Sequence, residues 1–296
     1  SWIEQLARIS ADLVWVGKGA WALPWFWQEL KRREPFAKLV CYNADNPIVT
    51  YSRGGNRLWV TESIPYFDYY CTYNGSLVEP LKRAGAKKVI QSPFAWDPWL
   101  HPAEVEICQE DRERYACDVM FVGNGDEYRE KWLENIMEAA EPYKWQFHVY
   151  GCWNPRRGSR VMQAIRGAQI YGLEMVKAVR AARISINVLR AQNEGSHNMR
   201  TFEIPGCRGL MASQFSAEQN EFFKGGEAAI YFKNPGEAVA KIADVISQEA
   251  KLKNLVAQAH EIARQNTYVH RAKSLIDAIR AESSTPMTLS PRLNKK

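Results

Sequence analysis

The sequence predicts an α/β protein that contains two parallel sheets. Short apolar runs rich in β-branched or aromatic residues alternate with segments of helical period, first within residues 1–91 and again within 118–281. Strands that alternate with helices pair in parallel, because each helix returns the chain across the sheet before the next strand starts. An aperiodic segment with three prolines, residues 92–102, separates the two series. The pattern therefore indicates two doubly wound units joined by a linker.

The first series is expected to form strands at 11–17, 38–42, 69–72 and 87–91, with helices at 1–10, 23–33 and 76–84. Only about four strands precede the linker, so the first domain is predicted to be short. We place this domain at 1–105, the second at 106–282 and a flexible tail at 283–296, where two prolines and a closing Lys-Lys follow the last helical period.

The second series is expected to form strands at 118–122, 146–150, 184–189, 209–213 and 228–232, with helices at 129–139, 171–182, 199–203, 236–247, 251–265 and 267–281. The short helix near 199–203 is followed by Pro205. Because proline is tolerated in the first turn of a helix and disrupts its interior, this helix is expected to begin near 202–204 or to be distorted.

Composition narrows the classes of partner. The 296 residues suffice for two domains with separate cores, and the net charge of +6 fits nucleotide diphosphates or an acidic membrane surface. The charge excess is too small to argue for nucleic acid by itself. The six cysteines form no CxxC pair and no Cys/His cluster with zinc spacing, and no apolar run reaches the ~18 residues of a membrane span. These features predict a cytoplasmic protein with free thiols and no metal site.

The segment 193–215 carries the strongest functional signal. His197, Asn198, Arg200 and Glu203 follow a predicted strand, and open α/β sheets bind ligands outside the carboxyl ends of their strands. Arg200 and Glu203 are three residues apart and share one face of a helix. An arginine near a helix N-terminus suits a phosphate, and a carboxylate one turn later can accept two hydrogen bonds from a sugar diol. The alternative is an ordinary ion pair on a solvated face.

A second candidate site element is the turn formed by Gly123, Asn124 and Gly125, directly after a predicted strand. Glycines let the backbone approach a diphosphate closely, and Arg129 follows as a cation near the same strand end. The same sequence pattern is also how an ordinary α/β unit turns from strand to helix, so the turn alone leaves both interpretations open.

These motifs, in this order, resemble the CgeB-like, group-one glycosyltransferases of the GT-B architecture. The matching segments are 42–47 (YNADNP), 85–98, 121–125 (FVGNG) with Arg129, 171–172 (YG), 183–187 (RISIN), 198–203 (NMRTFE) with Gly209, 222–227 (FFKGGE) and 267–271 (TYVHR). The resemblance implies two Rossmann-like parallel-sheet domains that face a cleft. It also implies transfer of a sugar from a nucleotide diphosphate sugar, with a UDP-sugar as the first guess, to a hydroxyl of a glycan, protein or small molecule.

The resemblance further implies roles for individual residues. The glutamate that matches Glu203 binds the ribose hydroxyls, and basic residues near Arg129 and Arg200 neutralise the diphosphate. GT-B enzymes work largely without a metal, in agreement with the lack of a convincing Asp-x-Asp in the sequence. We therefore expect no cofactor besides the donor substrate.

The general base is less well defined by sequence. Asp45 is the first choice, because it follows a predicted strand and could accept a proton from an acceptor hydroxyl. An Asx turn or helix cap before Pro47 would explain the same residue. His197 is the second choice, since an imidazole titrates near neutral pH, although it lies on the donor side.

Two other functions fit the same sequence. The short first domain is compatible with a non-catalytic sugar-nucleotide-binding protein or a spore or envelope-assembly protein that kept the fold. The positive charge gives faint support to a glycosyltransferase that acts on modified nucleic-acid bases.

Overall fold

A computed structural model describes residues 3–5, 11–48 and 57–282 of the chain. The expected helix at 1–10 lies largely outside these residues, and the expected flexible tail at 283–296 lies wholly outside them. No helix in the described part of the chain is both long and apolar enough to cross a bilayer.

The chain forms two compact units. The first unit comprises residues 1–93 and 269–296, and the second comprises 94–268. The observed division differs from the predicted boundary at 105/106, because the segment around Trp96 already belongs to the second unit. The backbone N–H of Trp96 donates to the Asn266 carbonyl at 3.0 Å, and the Trp96 carbonyl accepts the N–H of Tyr268 at 3.1 Å. The chain then returns to the first unit for its last helix.

The first unit contains a four-stranded parallel sheet in the order β1-β2-β3-β4. Its strands are β1 (Leu13–Gly17), β2 (Lys38–Asn43), β3 (Tyr69–Thr72) and β4 (Val89–Gln91). Its helices are α1 (Pro24–Arg33), α2 (Leu58–Glu62), α3 (Val78–Arg83) and the final helix of the chain, α12 (Tyr268–Glu282). The strands and helices predicted within the described residues of this series are confirmed to within a few residues, whereas α2 was not predicted.

Both faces of the first sheet are covered by apolar side chains. One face packs Leu39 and Tyr70 against Trp27 of α1. The opposite face packs against Leu275 and Ile279 of α12. Helix α1 begins at Pro24, whose fixed φ suits a first helical position, and ends with three basic residues that interact favourably with the C-terminal end of the helix dipole.

The second unit contains a six-stranded parallel sheet in the order β10-β9-β8-β5-β6-β7. Its strands are β5 (Cys117–Val122), β6 (Phe147–Tyr150), β7 (Ile165–Gly167), β8 (Ala182–Asn187), β9 (Met211–Gln214) and β10 (Ile230–Phe232). Its helices are α4 (Gln109–Tyr115), α5 (Glu127–Ala139), α6 (Arg160–Ala164), α7 (Gly172–Ala181), α8 (Arg200–Gly206), α9 (Ala217–Phe222), α10 (Pro235–Ile246) and α11 (Glu249–Arg264).

Helix α8 differs from its prediction. It starts at Arg200 and continues through Pro205 to Gly206, so the expected start near 202–204 is wrong. Pro205 lacks the N–H that would bond the Thr201 carbonyl, and the helix ends one residue later. The Pro205 carbonyl accepts a hydrogen bond from Nδ1 of His260 at 3.1 Å, which ties this end of α8 to α11.

Parallel pairing brings the carboxyl ends of all six strands to one edge of the second sheet. The loops after β5, β6, β7, β8, β9 and β10 therefore lie along the same edge, and β5 and β8 are direct neighbours at its centre. Open parallel sheets bind ligands at this edge, so it is where the predicted donor residues are to be sought.

Candidate functional site

Helix α8 presents Arg200 and Glu203 at the carboxyl edge of the second sheet. The Arg200 guanidinium donates through Nη1 to Glu203 Oε2 and through Nε to the Val122 carbonyl at the end of β5, the latter at 3.0 Å. The side chain of Glu203 is only 9% exposed. The pair is thus not the solvated surface pair of the alternative interpretation, because Arg200 joins the first turn of α8 to the end of a central strand.

Arg129, in the first turn of α5, is buried near the same strand end. Its Nε donates to the Val188 carbonyl at 2.9 Å and its Nη1 to the Asn124 carbonyl at 3.0 Å. The guanidinium also lies 5.6 Å from the centre of the Phe121 ring. No carboxylate forms an ion pair with Arg129 among the described residues. Burial, reinforced by the charge of Arg190, lowers the pKa of Arg129 to about 10.

Arg190 joins these residues and was not predicted from the sequence. It follows β8, and its Nε lies 3.6 Å from Oδ2 of Asp126, the N-cap residue of α5. Arg129, Arg190 and Arg200 form what we call the arginine cluster. The cluster has Asp126 and Glu203 as its carboxylate partners, which leaves one positive charge in excess. A partly buried excess of positive charge favours an anionic ligand.

The Gly123–Gly125 turn is held against the end of β6 and the loop that follows it. The N–H of Gly123 donates to the Tyr150 carbonyl at 2.9 Å, and the N–H of Gly125 donates to the Cys152 carbonyl at 3.0 Å. A Cβ on Gly125 would lie 2.3 Å from the ring of Trp153, so close packing requires glycine at this position. These two N–H groups are engaged within the protein, and a role for the turn in binding a diphosphate stays a prediction.

Asn124 and Asn198 both hold loops in place. Asn124 Oδ1 accepts hydrogen bonds from the Cys152 N–H at 3.1 Å and from the Gln169 amide. Asn198 exchanges amide hydrogen bonds with Asn187 at the end of β8, at 2.8 and 3.1 Å, and lies just before α8. These contacts position the backbone next to the arginine cluster, whereas direct contact of either amide with a donor stays a prediction.

His197 is fully buried in the loop before α8. Its Nε2 accepts the N–H of Phe94 at 3.0 Å, so the neutral ring carries its proton on Nδ1, which lies 2.9 Å from Oε2 of Glu218. With the lone pair engaged, this geometry favours a structural role over that of a base, and catalysis by His197 stays a prediction.

Asp45 lies in the first unit, beyond the end of β2. Its Oδ2 is 2.7 Å from Nζ of Lys18, which follows the end of the neighbouring strand β1. The turn here is formed by other side chains: Asn43 Oδ1 accepts the Asp45 N–H and Asn46 Oδ1 accepts the Ile48 N–H, each at 2.9 Å. The Asp45 carboxylate is therefore not the acceptor of these turns, and its side chain stays 38% exposed.

The described part of the chain contains no group of three or more His, Cys, Asp or Glu side chains arranged to hold a metal ion. Every cysteine is a free thiol, and Cys41, Cys71, Cys117 and Cys207 are buried. Burial raises the pKa of the Cys41 and Cys71 thiols to about 12. These thiols therefore stay protonated near neutral pH.

Several solved structures have a similar fold. The chain is similar to sucrose-phosphate synthase from Thermosynechococcus elongatus, with 13% identity over 95% of this chain and 77% of that chain and a TM-score of 0.65. It is similar to α,α-trehalose 6-phosphate synthase from Burkholderia multivorans, with 13% identity over 94% and 74% of the two chains and a TM-score of 0.64. It is also similar to Anabaena HepE in complex with UDP-glucose, with 10% identity over 94% and 82% and a TM-score of 0.67.

The predicted fold class is thereby confirmed as GT-B-like, with two Rossmann-like parallel-sheet units. No curated protein matches the chain significantly in sequence. Residues 129–277 match the glycosyl transferase-like family, a segment that starts at Arg129 and includes the arginine cluster and α8. The chain therefore belongs to the glycosyl transferase-like family.

Proposed function

We propose that this protein transfers a sugar from a nucleotide diphosphate sugar, with a UDP-sugar as the first choice, to a hydroxyl acceptor such as a glycan, a protein or a small molecule. The observation that carries the proposal is the excess positive charge of the arginine cluster beside Glu203, at the carboxyl edge of the second sheet. Membership of the glycosyl transferase-like family supports the reaction class. The closer relationship to CgeB-like proteins is part of the proposal.

The arginine cluster suits the leaving group of this reaction. When the bond between the sugar and the diphosphate breaks, negative charge grows on the phosphate oxygens. Arg129 is already desolvated and fixed by two backbone carbonyls, so its charge acts at low local dielectric and needs little reorganisation during the reaction. The cluster would supply the positive charge that a divalent cation supplies in other sites, and we propose that the reaction is independent of metal.

Glu203 is proposed to bind the ribose of the donor. Its Oε2 accepts from Arg200, and its Oε1 makes no hydrogen bond within the described chain. A carboxylate oxygen has room for two hydrogen-bond donors, so Oε1 can accept from a vicinal diol. Arg200 would then orient the carboxylate and also add charge near the diphosphate.

Asp45 is proposed as the general base that takes the proton of the acceptor hydroxyl. Its carboxylate is partly exposed beyond the end of β2, and the ammonium of Lys18 holds it in position. A base with this access can accept a proton through direct contact or through one water molecule.

The donor assignment is tested by isothermal calorimetry. Thermal-shift screening against UDP-, GDP-, TDP- and CMP-sugars selects the donor, and Glu203→Ala should then weaken its binding by about 1–3 kcal/mol, because a charged hydrogen-bond acceptor is lost. The matched control is Glu261→Ala, which removes the carboxylate of another Arg–Glu pair spaced three residues apart, on α11. Equal donor affinity in wild type and Glu203→Ala would refute the assignment.

A second candidate is a sugar-nucleotide-binding protein without transferase activity. The observation in its favour is that both predicted bases are engaged within the protein, Asp45 by Lys18 and His197 by Phe94 and Glu218. Tight donor binding without donor hydrolysis, and without transfer to any hydroxyl acceptor in a broad screen, would select this candidate.

A further inference from the structure

The first unit exposes an apolar patch near the end of β1. We define it by four large side chains that are at least 46% exposed: Trp21 (56%), Leu23 (46%), Trp25 (59%) and Leu58 (79%). A single exposed apolar residue is ordinary, whereas several large ones close together mark an interaction surface.

Two chain segments are held together to form this patch. The indole Nε1 of Trp59 donates to the Ala20 carbonyl at 3.0 Å, which fixes the start of α2 beside the loop that follows β1. Leu58 and Trp21 are the exposed neighbours of the two bonded residues. The patch is therefore built by a specific contact between segments that are distant in sequence.

The exposed rings rest on buried rings. Trp21 makes edge contacts with Phe26 and Trp27, whose ring centres lie 5.3 and 5.1 Å away. Trp25 makes an edge contact with Phe26 at 6.3 Å. These contacts limit the motion of the exposed side chains, so binding through the patch costs little conformational entropy.

Each of the two segments that form the patch contributes one basic residue. Residues 17–28 and 57–61 contain Lys18 and Arg57 as their only charged residues, and the carboxylates that follow directly are Glu29, which pairs with Arg32 and Arg33, and Glu62, which is exposed. Lys18 is paired with Asp45. The Arg57 guanidinium lies 4.7 Å from the centre of the Trp59 ring and has no carboxylate partner among the described residues. The patch thus combines apolar side chains with an unneutralised cation, in a chain of net charge +6.

We propose that the apolar patch binds an anionic lipid surface. Tryptophan favours the boundary between headgroups and acyl chains, because its large apolar ring carries one polar N–H. Stable attachment to a membrane surface needs two signals, and here they are apolar side chains that enter the boundary and Arg57, which interacts with acidic headgroups. This proposal does not depend on the proposed transfer reaction.

The test is cosedimentation of the full chain with lipid vesicles. The protein should bind vesicles of phosphatidylcholine and phosphatidylglycerol in equal parts, bind pure phosphatidylcholine more weakly, and lose part of its binding as salt is raised. The double variant Trp21→Ser/Trp25→Ser should bind the mixed vesicles at least about tenfold more weakly, since two exposed rings no longer enter the lipid.

Two further variants separate lipid binding from loss of structure. Leu23→Ser/Leu58→Ser removes apolar area without touching the ring contacts and should also weaken vesicle binding. Trp99→Ser is the matched control, because Trp99 is 89% exposed and belongs to the second unit, and it should bind as wild type does.

Two results would overturn the proposal. One is absence of vesicle binding by the wild type, and the other is undiminished binding by both patch variants. If those variants keep vesicle binding and lose transfer to a soluble carbohydrate, the patch is an acceptor surface and the lipid assignment is wrong.

Discussion

Replacing Arg129 by Met tests the arginine cluster most sharply, because it should separate stability from donor binding. Met retains much of the length and volume of the side chain and removes the charge and its hydrogen-bond donors. Burial and neighbouring arginines lower the pKa of Arg129 to about 10, which corresponds to roughly 3 kcal/mol of unfavourable free energy for the charged form. The substitution relieves this cost.

The same substitution leaves two carbonyl groups without their donor. The Val188 and Asn124 carbonyls each lose one hydrogen bond from the guanidinium. Each loss should lower the free energy of unfolding by about 1–3 kcal/mol, because a buried acceptor is left without a donor. The two losses together cost about 2–6 kcal/mol and oppose the gain of roughly 3 kcal/mol, so the free energy of unfolding should change by no more than about 3 kcal/mol and the Tm by less than about 10 °C. Donor binding has no such compensation, and we expect it to weaken by about 1.5–3 kcal/mol, or roughly tenfold to a hundredfold.

Calorimetry with the selected nucleotide sugar and thermal unfolding monitored by circular dichroism measure both quantities. Arg156→Met is the control, since the Arg156 side chain is 75% exposed and pairs with Glu130 outside the cluster. It should change neither quantity appreciably. Unchanged donor affinity in Arg129→Met would refute the anion-binding role of the cluster. A fall in Tm well beyond about 10 °C, with donor affinity retained, would show that Arg129 serves the fold alone.

The remaining predictions concern the base, the packing of α8, pH and metal. Asp45→Asn should lower kcat and leave donor affinity unchanged, and a fully active variant would remove Asp45 as the base. Gly206→Ala should destabilise the protein by about 1–3 kcal/mol in urea unfolding, because its Cβ would lie 2.4 Å from the Trp96 ring, whereas Gly17→Ala meets no atom within 4 Å and serves as control. Burial lowers the pKa of His101, so below about pH 6.5 the unfolded chain binds a proton on His101 more readily than the folded chain does. The free energy of unfolding should therefore fall as the pH drops below about 6.5, and His101→Gln should make this fall less steep. Transfer activity should survive EDTA, and a strict metal requirement would contradict the proposed role of the cluster.

Elements with a long, regular pattern were predicted well. Helix α5 and strand β2 match their predictions because their periods and apolar content are visible within one segment. The elements that sequence reasoning missed are short, since α2, α4, α6, β7 and α9 are each seven residues or fewer. Helices and strands of that length have little stability in isolation, so contacts with the rest of the unit decide whether these elements form.

For the site, sequence reasoning selected Arg129, Arg200 and Glu203, because charged residues just beyond predicted strands must lie at one edge of a parallel sheet. It missed Arg190, although this residue directly follows the run 184–189 and so carried the same signal. Its pairing with Asp126 depends on β5 and β8 being neighbours in the sheet. The order of strands in a sheet cannot be inferred from a local sequence pattern. The roles of the site residues in binding and catalysis stay predictions until the variants are measured.

The sequence by itself determined the fold class, the parallel character of both sheets and the edge at which the predicted donor residues lie, because these follow from hydrophobic period and from the position of polar residues along the chain. Only the tertiary structure decided the partners of each side chain. In the folded chain, the N–H groups of Gly123 and Gly125 donate to carbonyls at the end of β6 and in the loop after it. Both ring nitrogens of His197 have hydrogen-bond partners, and α12 belongs to the first unit. These outcomes depend on contacts between residues far apart in sequence, which no local pattern specifies.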